Sequence, residues 1–189
     1  MTILRAIAVC LGLGAAGPLA AEGCPSVPDH GLAFEALVSA LQSAQGEAEA
    51  REISARMWEI WTDAPDELAQ SMLDRGMGLR AAGDLKGSVA VLDDLVAYCP
   101  DYAEGWNQRA FARFLARDFE AALGDLDAAL RLSPRHVGAL SGKALTLVGL
   151  GRREAARDAL DAALAINPWL AERALIAPGG PLAPPGTDL

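Results

Sequence analysis

The chain has 189 residues, 52% of them hydrophobic but only 5% aromatic, with a formal net charge of −9. Alanine and leucine therefore carry most of the apolar content, which favours helix over sheet, and so acidic a chain repels the phosphate backbone of nucleic acid. The length suits one compact domain or one short repeat array.

Residues 1–21 have the layout of a secretory signal peptide: a single base at Arg5, the apolar run AIAVCLGLGAAGPLA, and small residues at Ala20 and Ala21. The run is too short, and too broken by Gly and Pro, to cross a bilayer, and no later segment is apolar for long enough. The expected product is an exported, periplasmic protein beginning near Glu22. Its acidity is uneven: residues 22–67 hold ten acids against Arg51 and Arg56, whereas residues 69–170 are nearly balanced.

Residues 22–30 are irregular, and residues 31–65 read as a helical hairpin that precedes the rest as a degenerate unit. Leu32, Leu37, Leu41 and Ala44 recur at helical spacing, Gly46 breaks the run, and Ile53, Met57 and Ile60 resume it. Trp58 and Trp61 could form a ligand platform, but at a helix–helix junction they are more simply core. Asp63 and Pro65 open the next helix.

From there the chain is punctuated by Pro100, Pro134 and Pro168, 34 residues apart. Proline cannot continue a helix, so each one ends a helix and turns the chain into the next unit. Counting from Ala69, Ala103 and Val137, position 8 is Gly76, Ala110 and Ala144, and position 20 is Ser88, Ala122 and Ala156, small residues where two helices can cross closely. Position 24 is Leu92, Leu126 and Leu160, and the turns AAGD, LARD and GLGR divide each unit in two. A fixed period of this size marks stacked supersecondary units.

Residues 69–170 resemble the tetratricopeptide repeat (TPR) family, most clearly in the middle unit with Trp106, Ala110, Ala122, Ala129 and Pro134. The resemblance implies an all-α, right-handed α-solenoid of helical hairpins, with TPR units at 69–102, 103–136 and 137–170; beyond them WLAERALIA reads as a short capping helix at 171–177, and the Pro and Gly content of PGGPLAPPGTDL reads as a disordered tail at 178–189. Position 7 is basic throughout (Arg75, Arg109, Lys143) and position 25 acidic (Asp93, Asp127, Asp161). Either these are ordinary mixed-charge surfaces, or each base reaches an acid on a neighbouring helix and fixes the stacking register.

Cys10 leaves with the signal peptide, so Cys24 and Cys99 form an even pair in an oxidising compartment, and a disulfide between them would staple the N-terminus to the first unit. The competing fate of Cys24 is lipidation, for which AEGC is a poor box. Cys24, Asp29 and His30 lack the spacing of a zinc site, and the chain has no Cys-x-x-Cys pair, phosphate loop or serine elbow. Neither catalysis nor a cofactor or metal is expected.

Function then falls to the surface. By resemblance, the first helix of each unit lines a concave groove, here with Leu73, Met77, Arg80, Asn107, Phe111, Phe114, Ser141, Leu145 and Val148. Such a groove suits an extended peptide or an amphipathic helix of a protein partner. The basic clamp of the family's chaperone-tail binders is absent, its places held by Leu73, Met77, Gln108, Gly138 and Gly142. The expected function is a periplasmic protein–protein interaction scaffold. The alternative is a structural subunit of an envelope assembly that uses convex or edge surfaces, its groove filled by the N-terminal hairpin.

Overall fold

A computed structural model describes residues 23–183; residues 1–22, on which the expected signal peptide falls, and residues 184–189 lie outside the described residues. Eight α-helices follow one another: α1 Gly31–Ser43, α2 Glu47–Trp61, α3 Glu67–Ala81, α4 Leu85–Tyr98, α5 Ala103–Leu115, α6 Phe119–Leu132, α7 Val137–Gly149 and α8 Arg153–Ile166. A 3₁₀ helix, Ala171–Ile176, ends the series. The three hairpins α3–α4, α5–α6 and α7–α8 stack side by side as an α-solenoid, α4 against α5 and α6 against α7.

Local chemistry sets the helix boundaries. Asp66, Asp84 and Asp118 cap α3, α4 and α6 by accepting from the backbone N–H three residues on, and His136 Nδ1 does the same for α7. Gly83, Arg117 and Gly151, again 34 residues apart, take φ of 83°, 64° and 71°, the left-handed turn that lets the second helix fold back on the first. The crossing is close enough that a Cβ at Gly76 would lie 2.6 Å from Leu92 Cγ, and Ser88 Oγ donates to Gly76 O at 2.8 Å.

The position-7 and position-25 charges do bridge units. Arg109 Nη1 donates to Asp93 Oδ1 and Lys143 Nζ to Asp127 Oδ1, each at 2.7 Å and each from one repeat to the one before it. Arg75 and Asp161 depart from the pattern: Asp161 accepts instead from Arg157 on its own helix.

The N-terminal hairpin does not stack ahead of the first repeat. Its apolar stripe, Leu37, Leu41, Ile53 and Met57, packs against Val137, Leu140, Ala163 and Ile166, with Trp169 alongside, so α1–α2 lies as a strap across the turn edge of the solenoid. The physical reason is that the proline turns leave apolar side chains open along this edge, and one stripe covers several of them. Polar contacts fix the far end: Trp169 Nε1 donates to Leu41 O at 3.2 Å, and Arg173 Nη2 to Glu47 Oε1 at 2.6 Å. The near end is held by the Cys24–Cys99 disulfide, by His30 against Asp63 (2.6 Å) and by Tyr102 Oη donating to Trp61 O at 2.8 Å.

The tail is ordered as far as the description runs. Leu182 and Ala183 are buried, and Arg157 and Arg153 donate to their carbonyls at 2.8 and 2.7 Å. Disorder expected from Pro and Gly content alone is therefore corrected for 178–183, because one leucine finds an apolar seat against Leu147, Ala156 and Leu160.

Candidate functional site

The concave faces of α5 and α7 form a cleft of about 230 Å³. Five of the expected groove residues meet there: Asn107, Phe111 and Phe114 from α5, Ser141 and Leu145 from α7. These positions fall three or four residues apart, on one face of each helix. Phe111 is 43% exposed, an apolar ring offered to solvent. Gly138 and Gly142 keep the α7 wall low; a Cβ at Gly142 would come 3.2 Å from Leu126 Cδ2.

The remaining four expected residues lie elsewhere. Leu73 is fully buried in the first hairpin's core with Ala64, Leu92, Leu95 and Tyr102, so it is no groove residue. Met77 is half-buried against the same cluster, and Val148 packs on the α7–α8 core. Arg80 edges the site indirectly: its guanidinium lies 4.1 Å over the Phe111 ring, and Nη2 donates to Gln108 Oε1 at 3.0 Å. Burial pulls the Arg80 guanidinium below its ordinary pKa, and the charge of Glu104 opposes that pull.

Beneath the cleft lies a buried polar network centred on Glu104. Its carboxylate accepts from Gln108 Nε2 at 2.5 Å and Asn107 Nδ2 at 3.0 Å, and meets His136 Nε2 at 2.7 Å. Since His136 Nδ1 accepts from Ala139 N–H, Nε2 carries the proton and donates to Glu104. Trp61 stacks on that imidazole at 4.3 Å. Nearby, burial pushes the Tyr102 phenol up, and the charges of Glu104, Asp63 and Asp74 add to the shift. This network orients Asn107 and Gln108, whose side chains are thereby committed before any ligand arrives.

Trp58, Glu172 and Thr146 are among the cleft residues that were not read from the sequence as groove residues. Trp58 comes from the strap, 42% exposed, and Glu172 from the 3₁₀ helix. Thr146 lines the cleft with a buried Oγ1 that finds no hydrogen-bond partner among the described residues. The strap therefore narrows one side of the groove through Trp58 without filling it. Among the described residues no group of three or more His, Cys, Asp or Glu side chains is placed to hold a metal ion, and no helix is long and apolar enough to cross a membrane.

Comparison with known proteins agrees with this architecture. Over 77 residues the chain is 39% identical to a TPR repeat-containing protein of Rhizobium etli, a match covering 41% of this chain and 38% of that one. These hairpins are tetratricopeptide repeats. Protein FlbA of Caulobacter vibrioides is 32% identical over 128 residues, 66% of this chain but 21% of its own length. The matches thus span well under half of either curated relative. No family model matches the chain. Among solved structures, the first TPR of Spaghetti (RPAP3) bound to an HSP90 peptide superposes with a TM-score of 0.54 at 20% identity, over 55% of this chain and 82% of that one. The TPR2B domain of yeast Sti1 in complex with an Hsp70 peptide gives 0.51 at 24% identity, over 52% and 78%. At such identities the likeness is one of fold. In this chain the α1–α2 strap packs along the turn edge of the array.

Proposed function

We propose that this TPR array is a non-enzymatic, periplasmic interaction scaffold that binds an apolar peptide segment or helix of a protein partner in the α5–α7 cleft. The observation that carries the reading is the cleft itself: Phe111 and Trp58 stand exposed across from each other around a polar floor whose amides are already oriented. Clefts of this kind combine apolar walls with a few placed polar groups. The cleft lining includes no lysine or arginine, and Glu172 is its one formal charge, so an acidic C-terminal tail is a poor fit. Export is supported by the Cys24–Cys99 disulfide, a bond that persists in oxidising compartments.

The test is peptide selection from a displayed random library on the oxidised chain, with Phe111→Asp as the control. Because Phe111 is substantially exposed, that variant folds. Selected sequences rich in aromatic and aliphatic residues, which lose binding to Phe111→Asp at unchanged melting temperature, support the reading. Sequences that bind the variant equally well refute it.

A further inference from the structure

At each stacking step of the solenoid the position-7 base reaches the position-25 acid of the repeat before it. Arg109 of α5 reaches Asp93 of α4, and Lys143 of α7 reaches Asp127 of α6. By the same rule Arg75 of α3 calls for a carboxylate on a helix laid ahead of it. Among the described residues it has none, and its side chain is exposed. The hairpin that precedes α3 in the chain is spent on the turn edge.

Arg75 stands on an apolar stripe. Leu68, Met72, Arg75 and Leu79 fall at i, i+4, i+7 and i+11 of one α3 face. Leu68 is 50% exposed, whereas the residues in the same place ahead of α5 and α7, Tyr102 and His136, are 2% and 1% exposed. Met72 and Leu79 are half-buried, as are their counterparts Trp106 and Arg113 in α5, while Leu140 and Leu147 in α7 are buried. The other end of the array is finished differently: Leu175, Ile176 and Leu182 pack on the α7–α8 core, and Asp161 is occupied by Arg157.

We infer that the outer face of α3 is a second interaction surface, which takes an amphipathic helix of another protein carrying a carboxylate in register with Arg75, laid on α3 as α4 lies on α5. Charge complementarity selects the occupant, and the interface continues a geometry the array uses twice. A second copy of this chain fits poorly. Its α8 end is covered by its own C-terminal segment, and α3 laid on α3 sets Arg75 against Arg75.

The probe is the α6 sequence itself, FEAALGDLDAALRL (residues 119–132), stapled between positions 120 and 124, which are exposed in α6. The staple is needed because a free helix of this length is marginal in water. The labelled peptide is titrated with the full oxidised chain and followed by fluorescence anisotropy, with sedimentation velocity on the chain alone. Saturable binding is expected, weakened about tenfold or more by Arg75→Glu in the chain or Asp127→Lys in the peptide, and recovered when the two are combined. Phe111→Asp leaves it unchanged, which separates this surface from the groove. Absence of binding, or binding indifferent to Arg75→Glu, overturns the inference, as does a dimer of the chain that Arg75→Glu dissolves.

Discussion

Arg109→Leu tests whether the charge cluster around Arg109, which joins Asp93 of the repeat before and Asp125 of its own repeat, holds the array or merely decorates it. Arg109 gives Nε and Nη2 to Asp125 at 2.9 and 2.6 Å and Nη1 to Asp93 at 2.7 Å, while Arg113 adds a bond to Asp125 at 2.7 Å. Burial alone would pull the Arg109 guanidinium down, but its hydrogen bonds to Asp125 and the charges of Asp125 and Asp93 outweigh that and hold it above its ordinary value. The two acids differ in what they lose. The Asp93 side chain is half exposed, so its share is worth at most about 1 kcal/mol. Asp125 is almost fully buried, and stranding a buried charge costs about 3–5 kcal/mol. Arg113 still reaches Asp125, which puts the total near the lower end, about 3 kcal/mol. For a domain of this size that is a fall in Tm of roughly 6–12 °C. The assay is thermal and urea unfolding of Arg109→Leu beside the double variant with Asp125→Leu. The double variant removes the stranded carboxylate and should recover much of the loss. If Arg109→Leu melts within about 0.5 kcal/mol of the parent, the cluster around Arg109 is decoration. Loss of groove binding at unchanged melting would instead give Arg109 a part in ligand capture.

Replacing both Cys24 and Cys99 by serine opens a loop spanning 75 residues and should cost up to about 4 kcal/mol by unfolded-state entropy, read as a shift in the urea midpoint. Intact mass of the exported protein should sit two hydrogens below the reduced chain; a lipid increment on Cys24 would contradict the bridge. Arg117 occupies a left-handed turn position where the other two repeats have glycine, so Arg117→Gly should stabilise by about 1 kcal/mol, and a loss instead would mean that its side chain matters more than its φ. Asp66 is held below the usual carboxylate range by the Ala69 N–H and the Tyr98 hydroxyl. Its folded-state pKa being depressed, its contribution is full above the unfolded value of about 3.9 and is lost as pH falls through the folded one. Asp66→Asn should therefore lower stability at neutral pH, change it little in acid, and so flatten the acid limb of the stability profile.

The repeats were legible because each one is written in residues whose physics is local. Pro100, Pro134 and Pro168 stop helices whatever surrounds them, and Gly76, Ala110 and Ala144 admit a neighbour simply by being small. The cleft residues Phe111, Phe114 and Leu145 followed from the family resemblance once the units were aligned. Leu73 did not follow, because its exposure depends on Ala64 and Tyr102, which close over the first hairpin from outside it. The strap's place was likewise hidden. Leu37, Leu41 and Met57 announce an apolar stripe, but a stripe does not name the surface it will meet. Trp58 and Glu172 entered the cleft for the same reason, carried there by segments whose docking no period records.

The strap also decides which surfaces remain for binding. Three repeats are close to the fewest that can bury a continuous core, and a solenoid this short needs its ends finished. Here the hairpin that could have finished the first end joins the turn edge of the second and third repeats instead, through Leu130, Val137 and Ile166. Packing a rigid hairpin across several proline turns resists changes in the angle between units, and that angle sets the width of the groove on the concave side. Trp58 at the groove wall is then both lining and gauge: it can reach the cleft only while Met57 beside it stays seated in the edge cluster. The cost of that arrangement is the bare face of α3, with Arg75 and Leu68 left to solvent. A chain that stiffens its groove by leaving one end of its array unfinished has two places to meet a partner, one defined by an apolar cleft and the other by a single missing carboxylate.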